Sequence, residues 1–163
     1  MKMINFLSPI RVVKLLSYWP PYLTAGVKVS YVAKDFKKII VKMRQRFWNT
    51  NYVGSHFGGS LYSMTDPFFM FMLLENLKQD HIVWDKSAEI EFIKPAKGEV
   101  SVIFEITDHD IERIKNKAMA SFSFIENFCV EIKDQNDQIV ARVNKGLYVR
   151  RKDAKQRFNK NNV

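Results

Sequence analysis

The sequence has few of the residues that form disulfides or metal sites, and it lacks a long apolar run. Its single cysteine, Cys129, excludes an intramolecular disulfide and fits a reducing, cytoplasmic location. The longest apolar run, 67–74, is far shorter than the roughly 18 residues of a membrane-spanning helix, so no transmembrane segment is predicted. The three histidines are scattered without a metal-site spacing, so we expect no bound metal. They are His56, His81 and His109.

The chain is instead rich in aromatic residues and in positive charge. Hydrophobic residues make up 47% of its 163 residues and aromatics 13%, which is enough for one core or for an apolar ligand cavity. The net charge of +9 attracts anions such as nucleic acid, lipid headgroups or phosphorylated ligands. Part of this charge lies in a polar, unpatterned segment, 151–163, which is predicted to be a disordered basic tail. Because no motif interleaves aromatic and basic residues, specific nucleic-acid binding is not predicted.

A helix and one or two strands are predicted in the first fifty residues, the first of the strands being a short β-prone run at 29–32. Ser8-Pro9 is a favourable helix start and Pro20-Pro21 a stop, which predicts an N-terminal helix over about residues 8–18. Apolar and basic residues then alternate over 37–47, as in a half-buried strand. The outward cations of this strand are interpreted as a solvated sheet face, and a phosphate-binding rim is the alternative.

The second half of the chain predicts mostly strands. Two alternating runs flank the short Pro95–Gly98 loop and are expected to form a hairpin, and a charged segment is expected to form a helical turn or an exposed loop. The strand-like runs are 82–93, 100–106, 118–124, 127–133 and 139–150, and the charged segment is 108–117. Together these predict a single α+β domain over residues 1–150, in which a mostly antiparallel sheet covers a central helix at about 58–77.

The candidate site lies where a small-residue loop enters that central helix. Consecutive glycines, Gly58 and Gly59, allow close approach of backbone or ligand, and helix N-terminal N–H groups can stabilise an oxyanion. Asp66, further along, could activate a water or attack directly. The Asp66-Pro67 pair has two interpretations: an N-cap with proline at the first helical position, or a carboxylate within a helix that Pro67 kinks.

The spacing of this segment resembles the hot-dog fold thioesterases of the phenylacetate-pathway type. Their signature is Asn, two residues, Gly, two residues, His-Gly-Gly, six residues and an acidic residue. Five positions are in register here: Asn51, Gly54, Gly58, Gly59 and Asp66. The run G-S-H-F-G-G-S-L-Y-S-M-T-D-P, followed by V-W-D-K-S-A-E-I-E-F-I-K-P from Val83 to Pro95, is similar to a subgroup usually described as a domain of unknown function. Phe57 stands at the family's histidine position, and His56 lies one residue earlier.

The resemblance implies a long central helix wrapped by a curved antiparallel sheet, in a homodimer or tetramer with sites at the subunit interface. It implies hydrolysis of an acyl-thioester such as acyl-coenzyme A, with no cofactor beyond the coenzyme A of the substrate. Asp66 would be the general base or nucleophile. The N–H of Gly58 would polarise the carbonyl, and Asn51 and His56 would position water or substrate.

Six further residues are expected to bind the substrate, at its carbonyl, along its acyl chain or at its phosphates. They are Phe57, Gly59, Phe68, Phe69, Met72 and Lys94. The alternative interpretation of Phe68, Phe69 and Met72 is that they are ordinary core residues. The alternative function, suggested by Phe57 at the histidine position, is a non-catalytic module that binds acyl-coenzyme A or a lipid-like ligand.

Overall fold

The computed structural model describes residues 8–159, with side chains as far as Arg157. The helices are α1 (Pro9–Leu15), α2 (Pro20–Ala25), α3 (Gly58–Ser63), α4 (Phe68–Leu77), α5 (Asp108–Ala120) and α6 (Ala154–Asn159). The strands are β1 (Val27–Val32), β2 (Lys38–Arg44), β3 (His81–Phe92), β4 (Glu99–Glu105), β5 (Phe124–Asp134) and β6 (Ile139–Arg151). The predicted α+β architecture is therefore confirmed. No helix in this part of the chain is long and apolar enough to span a bilayer.

The described strands form one antiparallel sheet in the order β1-β2-β4-β5-β6-β3. The predicted β3–β4 hairpin is wrong, because β3 pairs with β6 while β4 lies between β2 and β5. The loop between them crosses the end of the sheet, where Gln45 N donates to Gly98 O at 2.9 Å and Ile93 N to Val140 O at 2.9 Å. Alternation indicates which side chains of a strand face the core, but it does not indicate the neighbouring strand.

The inner face of this sheet packs around α4. Buried β2 and β4 side chains, among them Val41 and Phe104, face the helix. The rings of Phe68 and Phe69 each lie 5.1 Å from that of Phe104, one tilted and one edge-on. A helix that is apolar on nearly all sides is stable only where it is surrounded, so its composition and its position in the core agree.

The predicted central helix is present as two consecutive helices, α3 and α4. Pro67 has no N–H to continue the helical ladder. The chain instead closes a tight turn, with Thr65 N donating to Tyr62 O at 2.8 Å and Asp66 N to Ser63 O at 3.3 Å. The Asp66-Pro67 peptide bond is cis. Asp66 therefore lies in the turn between the two helices.

The N-terminal helix is confirmed as α1, followed by a 3₁₀ turn at Leu16–Tyr18. The diproline that was expected to end it also begins α2, since proline suits the first turn of a helix. The charged segment that was expected to be a turn or loop is the full helix α5. Thr107 caps this helix by accepting from Asp110 N at 3.1 Å, and the Asp110 carboxylate accepts from Thr107 N at 3.0 Å. The buried side chains of Ile111, Ile114 and Ala118 recur at helical spacing, which explains why α5 extends through part of the predicted strand 118–124.

The predicted disordered tail needs a correction over its first half. β6 continues to Arg151, whose guanidinium bonds Asp153 through two contacts of 2.9 Å. Ala154 is buried and opens α6, and Arg157 donates to Met119 O at 2.9 Å. These contacts order a segment whose composition alone indicated disorder. Residues 160–163 lie outside the described part of the chain.

Candidate functional site

The Asp66 carboxylate is held by a buried lysine of the sheet. Lys145 Nζ donates to Asp66 Oδ1 at 2.7 Å, and the Lys145 side chain is 1% exposed while that of Asp66 is 42% exposed. The N-cap position of α4 is Pro67, and no side chain there makes a cap hydrogen bond. Asp66 is therefore neither an N-cap nor a residue within a kinked helix. It is a surface-accessible carboxylate anchored from below by an ammonium group.

A second carboxylate, Asp85 of β3, shares the same ammonium. Its Oδ1 lies 2.7 Å from Lys145 Nζ. Burial raises the pKa of Asp85 above its usual value, and the nearby Asp66 carboxylate adds to this rise against the opposing effect of Lys145. Burial alone would lower the pKa of Lys145, but its contacts with the two aspartates outweigh burial and raise it. The lysine thus stays charged between two carboxyl groups, and the raised pKa of Asp85 means that this carboxyl group binds a proton more readily than usual.

Two tyrosines contact this Asp66–Lys145–Asp85 triad. Lys145 Nζ lies 5.3 Å from the centroid of the Tyr62 ring, within the range of a cation–π contact. From α2, the hydroxyl of the buried Tyr22 donates to the backbone carbonyl of Asp66. Burial, and then the charges of Asp66 and Asp85, raise the pKa of Tyr22 and keep it a donor. The turn at Asp66 is therefore attached to both the sheet and the N-terminal helices.

The structure does not bring Asn51 and His56 to Asp66 by any direct contact. The Asn51 side chain organises its own loop, accepting from Val53 N and Ser55 N and donating to Ser55 Oγ at 2.9 Å. The buried His56 donates from Nε2 to Gly98 O at 2.9 Å. Burial lowers the pKa of His56 and so favours the neutral ring, and the hydrogen bond to Gly98 O opposes this effect.

Gly58 and Gly59 begin α3, as predicted. As the first two residues of the helix, they have N–H groups without an intrahelical acceptor. A Cβ on Gly58 would meet the Phe92 ring of β3 at 2.9 Å, so the position favours glycine for close approach. The exposed Phe57 ring lies over Gly59, where a Cβ would come within 2.5 Å of it. The ring therefore partly covers the glycine pair.

The expected substrate-binding residues fall into different environments. Phe68, Phe69 and Met72 are buried core residues of α4, because their side chains fill the space between helix and sheet. Lys94 pairs with Asp134 at 2.8 Å at the end of the sheet. Several β2 cations also pair with carboxylates: Lys38 lies 2.7 Å from Glu105, and Lys42 and Arg44 lie 3.0 and 3.4 Å from Glu99.

Sequence reasoning missed Lys145 and Asp85. The signal for Lys145 was available in β6, where the apolar residues Val143, Leu147 and Val149 alternate along the strand and indicate its inward face. Period-two alternation places Lys145 on that same inward face, and a lysine there needs a buried partner. Asp85 carried no comparable signal, because β3 has a bulge between Asp85 and Ser87 that interrupts the alternation.

Solved structures share this fold at low sequence identity. Protein PA5026 of Pseudomonas aeruginosa, described as of unknown function and a probable thioesterase, gives a TM-score of 0.78 at 16% identity, covering 88% of this chain and 97% of that one. Thioesterase HI1161 of Haemophilus influenzae gives 0.63 at 12%, covering 87% and 90%. A point mutant of the phenylacetic acid degradation protein PaaI of Thermus thermophilus gives 0.55 at 17%, covering 80% and 98%.

These similarities and the observed topology establish the hot-dog fold that the sequence predicted. A comparison with curated protein sequences found no match. A comparison with family models matched residues 11–149, which is most of the chain, to one family. The chain therefore belongs to the family described as a domain of unknown function, DUF4442.

Proposed function

We propose that this protein hydrolyses an acyl-thioester, such as acyl-coenzyme A, with Asp66 as the general base or nucleophile. The observation that carries the proposal is the accessible Asp66 carboxylate, fixed by the buried Lys145 at the break between α3 and α4. The thioesterase names of structures with the same fold support it.

The triad suits either chemical role of Asp66. Lys145 orients the carboxylate and favours its charged form, which is the form that can accept a proton from water or attack a carbonyl carbon. In the general-base route water forms the new C–O bond, the C–S bond breaks and the thiol leaves with the proton taken from water. In the nucleophilic route the Asp66 carboxylate displaces the thiolate to give an acyl-aspartyl anhydride, and water then hydrolyses this anhydride to restore Asp66 and release the acid. Asp85 lies beside the ion pair, and its raised pKa favours its protonated form. It is the group that would give a proton to the departing thiolate.

We infer that a single chain does not supply both catalytic groups to one substrate. At a helical rise of about 1.5 Å per residue, α3 and the turn after it separate the N–H of Gly58 from Asp66 by roughly 10 Å. A thioester carbonyl must sit about 3 Å from both an oxyanion donor and its attacking group. A two-fold homodimer in which Gly58 of the partner subunit faces Asp66 meets this requirement.

The edge strand β3 suits such a dimer. It pairs with β6 on one side only, and it exposes Trp84 and Phe92. Long apolar edge strands tend to pair with another chain. A two-fold axis near the middle of β3 would bring its Phe92 end, which packs on Gly58, beside Asp85 of the partner subunit. Tetramers could form by further association of such dimers.

The first experiment is a thioesterase screen across acyl-coenzyme A chain lengths that measures the released thiol. Asp66→Asn is expected to lower kcat/KM by about 10²–10⁴-fold. The matched control is Asp137→Asn in an exposed turn, where asparagine tolerates the positive φ of 58° and activity should be unchanged. The proposal is wrong if no thioester turns over, or if Asp66→Asn is as active as the control.

A second experiment tests the shared site. Gly58→Pro removes the N–H, at a helix position that accepts proline, whereas Gly58→Ala retains it beside the same Phe92 ring. Only the proline variant should lose most activity. Reassociated mixtures of Asp66→Asn and Gly58→Pro chains should regain about one quarter of wild-type sites, since half the dimers are mixed and each has one intact site. Mixtures that remain inactive would exclude a site built from two subunits.

The second candidate function is binding without hydrolysis. The observation that favours it is the loop at Phe57, where the family histidine is absent and His56 bonds Gly98 instead. Calorimetry that measures tight acyl-coenzyme A binding by protein without turnover would support this function. Turnover that is lost on Asp66→Asn would exclude it.

A further inference from the structure

The described part of the chain carries an exposed apolar surface beside four cations, at the edge of the sheet remote from β3. It consists of a groove of about 580 Å³ between the outer face of β1 and β2 and the turns before and after them. We call it the aromatic–basic face. Its apolar residues are Tyr18, Leu23, Phe47 and Trp48, and its cations are Lys28, Lys42, Arg44 and Arg46.

The apolar residues of this face protrude into solvent. Phe47 is 89% exposed, and its ring packs edge-on against Trp48 at a centroid distance of 4.9 Å. Tyr18 and Leu23 are also exposed and line the same groove. A contiguous cluster of this kind on a soluble domain usually marks an interaction site.

Positive charge surrounds the cluster and selects its partner. Lys42 and Arg44 share one carboxylate, Glu99, whereas Lys28 and Arg46 pair with no carboxylate among the described residues. The groove thus has an excess of positive charge. A second copy of the chain would place these cations against each other, which opposes association through this face. Tryptophan and tyrosine flanked by lysine and arginine are characteristic of the headgroup region of a bilayer.

We propose that the aromatic–basic face docks the protein onto an anionic lipid bilayer. The apolar side chains insert at the level of the headgroups, and the cations contact lipid phosphates. The proposal stands apart from the thioester chemistry, because none of these residues belongs to the Asp66 triad. A nucleic acid would also satisfy the cations, but the aliphatic Leu23 and the protruding Phe47 fit hydrocarbon better than phosphate.

Vesicle co-sedimentation of the full chain tests the proposal. We expect binding to vesicles of phosphatidylcholine with phosphatidylglycerol, weak binding to phosphatidylcholine alone, and a decrease with salt. Lys28→Ala with Arg46→Ala should weaken binding about thirtyfold, since each cation near an anionic surface contributes roughly a factor of five. The control is Lys115→Ala with Lys133→Ala, which removes the same charge from α5 and β5. If the control loses vesicle binding to the same extent, the net charge of the protein explains the effect and the proposal is overturned.

Tryptophan fluorescence provides a second measurement that a purely electrostatic contact would not change. A variant with Trp19→Phe and Trp84→Phe keeps only Trp48, and brominated lipids should quench its emission. A variant with Trp19→Phe and Trp48→Phe keeps only Trp84, which stacks on Tyr148 away from this face and should not be quenched. Circular dichroism confirms folding. Three results would each overturn the proposal. The first is that Trp48 is not quenched, and the second is that Trp48→Ser loses an oligomer that the wild type forms, which would make this face an interface between copies of the chain. The third is that duplex DNA displaces the vesicles from the protein.

Discussion

Replacing Lys145 by methionine should destabilise the protein in a pH-dependent manner. The substitution keeps an unbranched side chain of similar length in the buried β6 position and removes the ammonium group. That group lies 2.7 Å from Asp66 Oδ1 and 2.7 Å from Asp85 Oδ1. Its removal leaves two neighbouring carboxylates without their shared cation.

The expected cost follows from how buried each partner is. Removing one member of a fully buried ion pair costs about 3–5 kcal/mol, but the Asp66 side chain is 42% exposed and water screens its charge. We therefore expect the free energy of unfolding to fall by about 2 kcal/mol at pH 8. Asp85→Asn in the same chain should recover about half of this loss, because it removes one of the two uncompensated charges.

The dependence on pH has a definite sign. Without Lys145, the remaining influences on Asp85 are burial and the Asp66 charge, and both raise its pKa. A carboxyl whose folded-state pKa exceeds its unfolded value binds its proton more tightly when folded, so the penalty is largest above that pKa and decreases as the pH falls through it. Urea denaturation at pH 8 and pH 5, followed by circular dichroism, measures both values. An equal penalty at the two pH values, or no recovery with Asp85→Asn, would refute the reasoning.

Three further predictions concern the surroundings of the site. Burial lowers the pKa of His56, so stability should fall as the pH drops through the ordinary histidine range, and His56→Gln should flatten this dependence in denaturation at pH 5 and 7. Gly146→Ala would place a Cβ 2.5 Å from Ser87 Oγ and should lower the free energy of unfolding, measured by urea denaturation, by about 1–3 kcal/mol. An unchanged free energy of unfolding would mean that β6 shifts to accommodate the methyl group. The buried Glu126 carboxylate pairs with Arg113, and Glu126→Gln should raise the rate of amide exchange in α5 and β5, whereas unchanged exchange would mean that apolar packing alone holds them together.

Much of the fold was predictable because it depends on local patterns. The 37–47 alternation predicted β2, Ser8-Pro9 predicted α1, and the apolar run after Pro67 predicted a buried helix, since caps and periodicity act within a few residues. Strand neighbours were not predictable in this way. The β3–β4 hairpin was expected from a short Pro95–Gly98 loop, but the pairing energy of these strands comes from β2, β5 and β6, which are distant in sequence.

The candidate site divides along the same line. The spacing from Asn51 to Asp66 identified the loop, the glycine pair and the carboxylate, and the resemblance gave them roles that remain predictions. It could not indicate that Asn51 and His56 stabilise their own loop, since those hydrogen bonds involve Ser55 and Gly98 in three dimensions. The sequence also left open whether Asp66 was an N-cap or a residue within a helix. In the structure it is neither, because it lies in the turn between α3 and α4.

The sequence by itself determined the fold class, the buried central helix and the position of the key carboxylate, because hydrophobic periodicity, glycine and proline act on the chain nearby. Only the tertiary structure decided what Asp66 contacts. Lys145 is 79 residues away in sequence, and it reaches Asp66 because β6 lies inside the sheet and its alternation turns that side chain inward. A buried ammonium requires its carboxylates, and only the folded chain brings all three together.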